Sequence, residues 1–340
     1  MIRIGIVGIG FMGRIHFLAG QKLRQARVTA VCSRDPKKLA GDWSSTRGNF
    51  GPPPGRVDLQ QVKRYASYDE MLRDPEIDMI DICNPTVHHE TTAIAALQAG
   101  KHVLVEKAIA LTPEGADRML AVAKAAGKLL MVAHVLPFFP EFQFAYQVVQ
   151  EERYGRLIGG HFKRVISKPD WSAEIADTAA TGGPAVDLHI HDTHYIGLIS
   201  GVPQRVFSQG VQERDAVSYL TTQYLYGSGG PAISCSSGAI AMKARPFIHG
   251  FEIYLERATL VHEGAMPLTI YHDDGRTETP TLGSSDPIDV FATEIQTAVD
   301  GVAANQEPAI LSGQLARDAL VMCLKEIESV REGQAISLSS

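Results

Sequence analysis

Near its start the chain reads Gly8-Ile9-Gly10-Phe11-Met12-Gly13, directly after a largely apolar run from Ile2 to Val7. Such a run suits a strand buried on both faces. After Gly13 the period changes, and Ile15, Leu18, Ala19 and Leu23 recur at helical spacing. Strand, G-x-G-x-x-G turn and helix together are the context in which this spacing binds a dinucleotide. Gly8 permits the tight turn, Gly10 lets a pyrophosphate approach the backbone, and Gly13 lets the helix lie close to the strand. Phe11 and Met12 share the turn, where the helix start offers free N–H groups and the positive end of its dipole. A chain that begins this way is committed to an α/β domain.

The alternation continues. Val28–Cys32 reads as the second strand, and Ser33-Arg34-Asp35 follows it, where an acidic residue would hold the ribose of NAD. Asp35 precedes Pro36 and has the pattern of a helix N-cap. Ser33 and Arg34 are then placed to hold a 2′-phosphate, which favours NADP over NAD. Residues 43–60 carry three consecutive prolines and read as an inserted surface loop with no chemistry assigned. Further strands fall at 62–66, 77–83, 103–105 and 129–133, separated by helices. Five or six strands alternating with helices imply a doubly wound parallel sheet, a Rossmann-type domain over 1–134.

With 340 residues the chain is long enough for a second domain, expected over 135–340. A net charge of −6 argues against nucleic acid or an anionic membrane as partner. Cys32, Cys83, Cys235 and Cys323 are widely spaced, which suits buried thiols in a reducing, cytoplasmic setting. No signal peptide is expected ahead of the first strand, and no apolar run has membrane-spanning length.

Three stretches, Gly8–Gly13, Asn84-Pro85-x-x-x-His89 and Ala99–Lys107, resemble the Gfo/Idh/MocA family of NAD(P)-dependent oxidoreductases. The resemblance implies a sugar or cyclitol dehydrogenase or reductase with a homo-oligomeric, homodimeric or homotetrameric, assembly. It also implies that Lys107 is catalytic. The family's usual Glu-Lys-Pro is Glu106-Lys107-Ala108 here. Cys83, Asn84, Pro85, His89 and Glu106 join the expected cofactor contacts at strand ends, where open α/β sheets bind ligands.

The second half alternates short strands with turns, including Gly227–Gly230 and Asp273–Gly275. It is expected to form an α+β domain with an open, mainly antiparallel sheet, including one strand over 251–261. Within it, Gly182-Gly183-Pro184-Ala185-Val186-Asp187-Leu188-His189-Ile190-His191 resembles the family's Gly-Gly-x-x-x-Asp-x-x-x-His segment. On one continuous helix Asp187, His191 and His194 share a face, while His189 points nearly the opposite way and Asp192 lies to the side. A histidine exchanges protons near neutral pH, so His191 can take the proton of a substrate hydroxyl while Asp187 orients it. Lys107 can stabilise alkoxide character on the reacting oxygen. His194 and a stacking Trp171 complete the expected substrate contacts. Asp187, His191 and His194 also have metal-ligand spacing, but an alcohol oxidation with a histidine base needs no metal, and none is expected. An NAD-dependent redox-elimination glycosidase and a non-catalytic dinucleotide sensor are the competing functions. Replacing Arg34 by Ala should weaken NADP binding far more than NAD binding in fluorescence titrations; equal losses would contradict the 2′-phosphate reading.

Overall fold

The computed structural model describes residues 1–168, 181–213 and 216–338. The chain divides into two compact units, Met1–Phe138 with Ser284–Arg317, and Phe139–Gly283 with Asp318–Ser340.

In the first unit β1 (Ile2–Val7), α1 (Phe11–Gly20), β2 (Ala26–Cys32), α2 (Pro36–Leu39), β3 (Lys63–Tyr65), α3 (Tyr68–Leu72), β4 (Met79–Ile82), α4 (His89–Gln98), β5 (His102–Glu106), α5 (Pro113–Ala126) and β6 (Leu130–Ala133) alternate along the chain. The six strands are parallel, in the order β3-β2-β1-β4-β5-β6. The order reverses direction between β1 and β4, so their carboxyl ends flank the crevice at which such sheets bind ligands. β4 and β6 are buried at every position, which accounts for the apolar character of β6 and of every β4 residue but Asp81.

Local chemistry sets the helix ends. The Asp35 carboxylate accepts the Lys37 N–H at 2.9 Å, with Pro36 at the first helical position. Ser67 accepts the Glu70 N–H, and Thr112 accepts that of Gly115. At the glycine turn, Gly8 has φ +92°, and a Cβ on Gly13 would stand 2.0 Å from the Gly8 carbonyl oxygen. Helix α1 can lie this close to the sheet only without that carbon.

The 43–60 segment is more firmly held than a simple surface loop. Trp43 is fully buried against Phe17, ring centroids 4.9 Å apart, and its indole N–H donates to the Lys38 carbonyl at 2.8 Å.

The second unit contains α6 (Pro140–Gln150), β7 (Leu157–Ser167), α7 (Pro184–Asp187), α8 (Ile190–Ser200), β8 (Arg205–Glu213), β9 (Ala216–Leu225), β10 (Ala232–Ala241), β11 (Ile248–Leu255), β12 (Ala258–Glu263), β13 (Thr269–His272) and β14 (Thr277–Glu278). Helices α9 (Pro287–Ala304) and α10 (Gly313–Glu332) and strand β15 (Ile336–Ser337) end the chain. The nine strands form one sheet, β14-β13-β12-β11-β7-β10-β9-β8-β15, antiparallel except where β7 meets β10. Its helix-covered face packs Phe142 edge-on to Tyr195 and Phe251, at 5.1 and 5.0 Å between ring centroids.

Two expectations are corrected here. The stretch 251–261 is not one strand: Glu256 and Arg257 turn the chain between β11 and β12, which pair antiparallel. A charged pair made this turn without the glycine or proline that usually marks one. Nor does 135–340 form one contiguous domain, because Ser284–Arg317 belongs with the first unit. The apolar stripe of α9, Val290, Phe291, Ile295, Ala298 and Val299, is buried there. Phe291 lies 5.6 Å from the His16 ring, and Asp289 pairs with Lys22 of α1.

Gly13→Ala should cost about 1–3 kcal/mol of stability in urea titrations, the usual penalty of overpacking a fixed backbone. It should also weaken dinucleotide binding by displacing the start of α1.

Candidate active site

At the carboxyl ends of β1 and β4 the backbone itself builds a cradle. A Cβ on Gly10 would meet nothing within 4 Å, so the turn presents bare backbone to open space. Gly8 faces the Asn84 backbone so closely that a Cβ would lie 2.6 Å from the Asn84 nitrogen. The Asn84 amide donates to Thr92 Oγ1 at 2.9 Å, while its buried Oδ1 accepts no hydrogen bond. Phe11 and Met12 are half-buried beside this cradle, and Pro85 is exposed. An unhindered glycine turn at a helix start, with a spare acceptor nearby, fits a pyrophosphate and its ribose hydroxyls. Ser33 Oγ accepts the Asp35 N–H at 3.1 Å, and Arg34 is exposed. Asp35 is engaged as the α2 cap, as its sequence pattern indicated.

Other expected cofactor contacts have different work. His89 is 1% exposed, with Nδ1 2.7 Å from the Ala108 carbonyl oxygen and Nε2 2.9 Å from that of Asn84. Burial pushes its pKa below the ordinary value even though both carbonyls favour the charged ring. His89 thus ties the turn after β4 to the segment after β5 and offers little surface to a ligand. Cys83 turns its thiol inward, 3.5 Å from His16 Nδ1 and 3.6 Å from Asp81 Oδ1.

Beneath the same strand ends lies a buried charge cluster that spacing arguments missed. His16 of α1 holds Asp81 of β4 at 2.9 Å through Nδ1 and lies 3.1 Å from Glu106 Oε1 through Nε2, an ion-pair contact rather than a directed hydrogen bond. Burial opposes charge on His16, but the Asp81 carboxylate overrides it and raises the histidine well above its ordinary pKa. Glu106 uses its other oxygen to accept the Lys107 N–H at 3.1 Å. Its carboxylate is therefore occupied within the protein rather than directed at a ligand. Glu294 of α9 is fully buried, neither carboxyl oxygen accepts a hydrogen bond, and burial raises its pKa well above the carboxylate range. The available sequence signal was a lone charged residue within an apolar stripe: His16 in α1, Asp81 in β4, Glu294 in α9. Lys107 is half-buried after β5, and its peptide bond to Ala108 is cis.

In the second unit Asp187, His191 and His194 are not on one continuous helix. Helix α7 ends at Asp187, the His189 N–H reaches back five residues to the Pro184 carbonyl at 3.1 Å, and α8 begins at Ile190. A five-residue step of this kind shifts helical phase. His189, expected to point away, is fully buried and pairs with Glu326 of α10. Burial opposes its charge, yet Glu326 raises its pKa. Asp192 is also fully buried and takes both Arg164 Nε (2.7 Å) and Nη2 (3.1 Å) from β7. These two ion pairs seat the start of α8, leaving Asp187 and His191 half-buried. His194 is 0% exposed, and burial drives its pKa down to about 3. Its ring is therefore out of water in this conformation, at a position where the sequence reading expects a substrate contact. Trp171 lies outside the described residues.

Among the described residues, two buried groups bring histidine, aspartate and cysteine ligand atoms within 4.8 Å of one another: His16, Asp81 and Cys83, and His189, Asp192 and Cys235. In both, the histidine and aspartate are already committed to ion pairs. The trio Asp187, His191 and His194 is not among these groups.

Comparison with known proteins adds an independent line. Residues 2–134 match the model of an oxidoreductase family with an NAD-binding Rossmann fold. The chain is 23% identical over 353 residues to myo-inositol 2-dehydrogenase of Thermotoga maritima, covering 99% of this chain and 98% of the relative. It is 23% identical over 360 residues to 1,5-anhydro-D-fructose reductase of Ensifer adhaerens, covering 100% and 99%. Levoglucosan dehydrogenase, solved with NADH and levoglucosan, shares the fold at TM-score 0.85 and 18% identity, with 100% of both chains covered.

The buried His194 links stability to pH. An unfolded histidine titrates near 6.5, and the folded one near 3. Between these values only the unfolded chain holds the proton, so stability falls as the pH drops, by about 1.4 kcal/mol per unit. Urea titrations of His194→Asn across this range should show a slope shallower by one proton.

Proposed function

Because the chain belongs to the Gfo/Idh/MocA family of NAD(P)-dependent oxidoreductases, we propose that it moves a hydride between nicotinamide and a secondary alcohol or ketone of a sugar, cyclitol or related polyol. The observation that carries this reading is the anchoring of Lys107: its amide is held by Glu106, and Glu106 is held by His16. The Lys107 backbone is thereby fixed after the strand next to the glycine cradle, and its half-buried side chain is suited to an electrophilic role. The activities for which the relatives are named, on inositol and on anhydrosugars, support the substrate class.

Bound nicotinamide would supply the hydride acceptor or donor. The residues of this chain would do the rest. The Lys107 ammonium would hydrogen-bond the reacting oxygen and stabilise its negative charge. His191 would take the hydroxyl proton during oxidation and return it during reduction. Asp187, which precedes it at the end of α7, would orient His191 or a substrate hydroxyl. Gly8, Gly10, Phe11, Met12, Gly13, Asn84 and Pro85 would hold the dinucleotide. NADP is the preferred form in this reading, because Asp35 caps α2 and the exposed Arg34 is left to meet a 2′-phosphate.

The open sheet face of the second unit supports a homo-oligomer. Tyr254 and Tyr271, placed on that face by the β11–β12–β13 register, are 40% and 49% exposed, and a second copy would cover them. Four free, buried cysteines suit a reducing, cytoplasmic compartment. Among the described residues no helix is long and apolar enough to cross a membrane.

The test follows reduced-cofactor formation by its near-ultraviolet absorbance with NAD or NADP against a panel of inositols, aldoses and anhydrosugars. Lys107→Ala should lower kcat by about 10²–10³ while cofactor affinity holds, and His191→Asn should lower it by about 10²–10⁴. Cofactor binding without net turnover on any polyol would contradict the dehydrogenase reading and point to aryl glycosides as the next substrates to try.

A further inference from the structure

The loop that follows α2 closes back onto the start of α1. Asp42 and Arg56 bridge its two ends. Gly48 lies against Phe11 so closely that a Cβ would stand 2.0 Å from the ring, and Gly51, at φ +79°, lies against Ile15. Phe50 meets Phe11 edge-on at 4.7 Å and stacks on Phe291 at 5.7 Å. Between this loop and α1 is a cavity of about 440 Å³, lined by Arg14, Arg47, Asn49, Phe50 and the prolines 52–54. Its lining contains two guanidinium groups and no carboxylate.

Arg14 is the unusual member. It is only 3% exposed. Its Nη1 donates to the Pro52 carbonyl at 2.8 Å, and its guanidinium carbon lies 5.9 Å from the centre of the Phe11 ring. Its Nε is buried without an acceptor. Among the described residues no carboxylate pairs with it, and burial alone lowers its pKa. A buried cation lacking a counter-charge is costly to the fold. An anion in the adjoining cavity would remove that cost. The planar fork of arginine matches the oxygens of a phosphate better than any other side chain does.

We propose that Arg14 and Arg47 form a binding site for a phosphate group, in which Arg14 supplies the fixed fork and Arg47, exposed on the loop, closes on the anion. Two sources share this chemistry: the 2′-phosphate of NADP, which would then be held here instead of by Arg34, and the phosphate of a separate phosphorylated small molecule. The site does not depend on the hydride-transfer reading, since phosphate binding is measured without turnover.

Isothermal titration of the full chain with inorganic phosphate tests the proposal directly. Wild type should bind, and Arg14→Gln and Arg47→Gln should each loosen binding by at least about tenfold, the effect of losing charged hydrogen bonds. Arg47 is exposed, so its replacement leaves the fold intact even if the Arg14 variant is unstable. Titrations with NADP and NAD then separate the sources. If phosphate competes with NADP and the variants weaken NADP but not NAD, the cofactor's phosphate occupies the site. If phosphate and NADP bind together, the ligand is a separate phosphorylated molecule. Absence of phosphate binding to the wild type with no change in NADP affinity in the variants, or equal phosphate affinity in wild type and Arg47→Gln, overturns the proposal.

Discussion

The close approach of α1 to the sheet is the constraint on which the first unit depends. Gly13 lies over the Gly8 carbonyl with no room for a Cβ, and Gly8 faces the Asn84 backbone just as tightly. That proximity carries His16, one turn further along α1, into contact with Asp81 of β4 and Glu106 of β5. The imidazolium then joins three elements at their ligand-facing end. Glu106 passes the constraint on to the Lys107 amide. The glycines therefore do more than admit a pyrophosphate: their missing side chains let a buried charge reach the strand ends.

The second unit uses the same device in a different fold. Arg164 of β7 holds Asp192, and Glu326 of α10 holds His189, both fully out of water. Buried pairs of this kind gain little net stability, because desolvation offsets their attraction. Breaking one is nevertheless expensive, since it strands the remaining charge. The consequence is geometric specificity. With His189 and Asp192 pulled inward, the helix is interrupted after Asp187, and Asp187 and His191 remain accessible on either side of the break.

Much of the fold was legible in the amino-acid order. The parallel strands, the caps at Asp35, Ser67 and Thr112, and most antiparallel strands of the second half follow from short-range patterns of apolar spacing and turn chemistry. What escaped notice involved residues distant in sequence. Helix α9 reads as part of the second half, yet its apolar stripe is buried in the first unit. His89 and Glu106 read as cofactor contacts, yet their polar atoms are taken by Asn84, Ala108, His16 and the Lys107 amide. His194 reads as a substrate contact by helical arithmetic, which assumes an uninterrupted helix.

The sequence by itself determined the dinucleotide cradle, the strand–helix alternation and the residue types available for proton and hydride chemistry, because each is encoded by neighbours a few positions apart. Only the tertiary structure decided which charged residues become scaffolding and which remain accessible. That choice turns on burial: His189 and His191 differ by two positions, yet one is sealed against Glu326 and the other is half-buried. The partner that seals His189 lies more than a hundred residues away, and no local pattern specifies it.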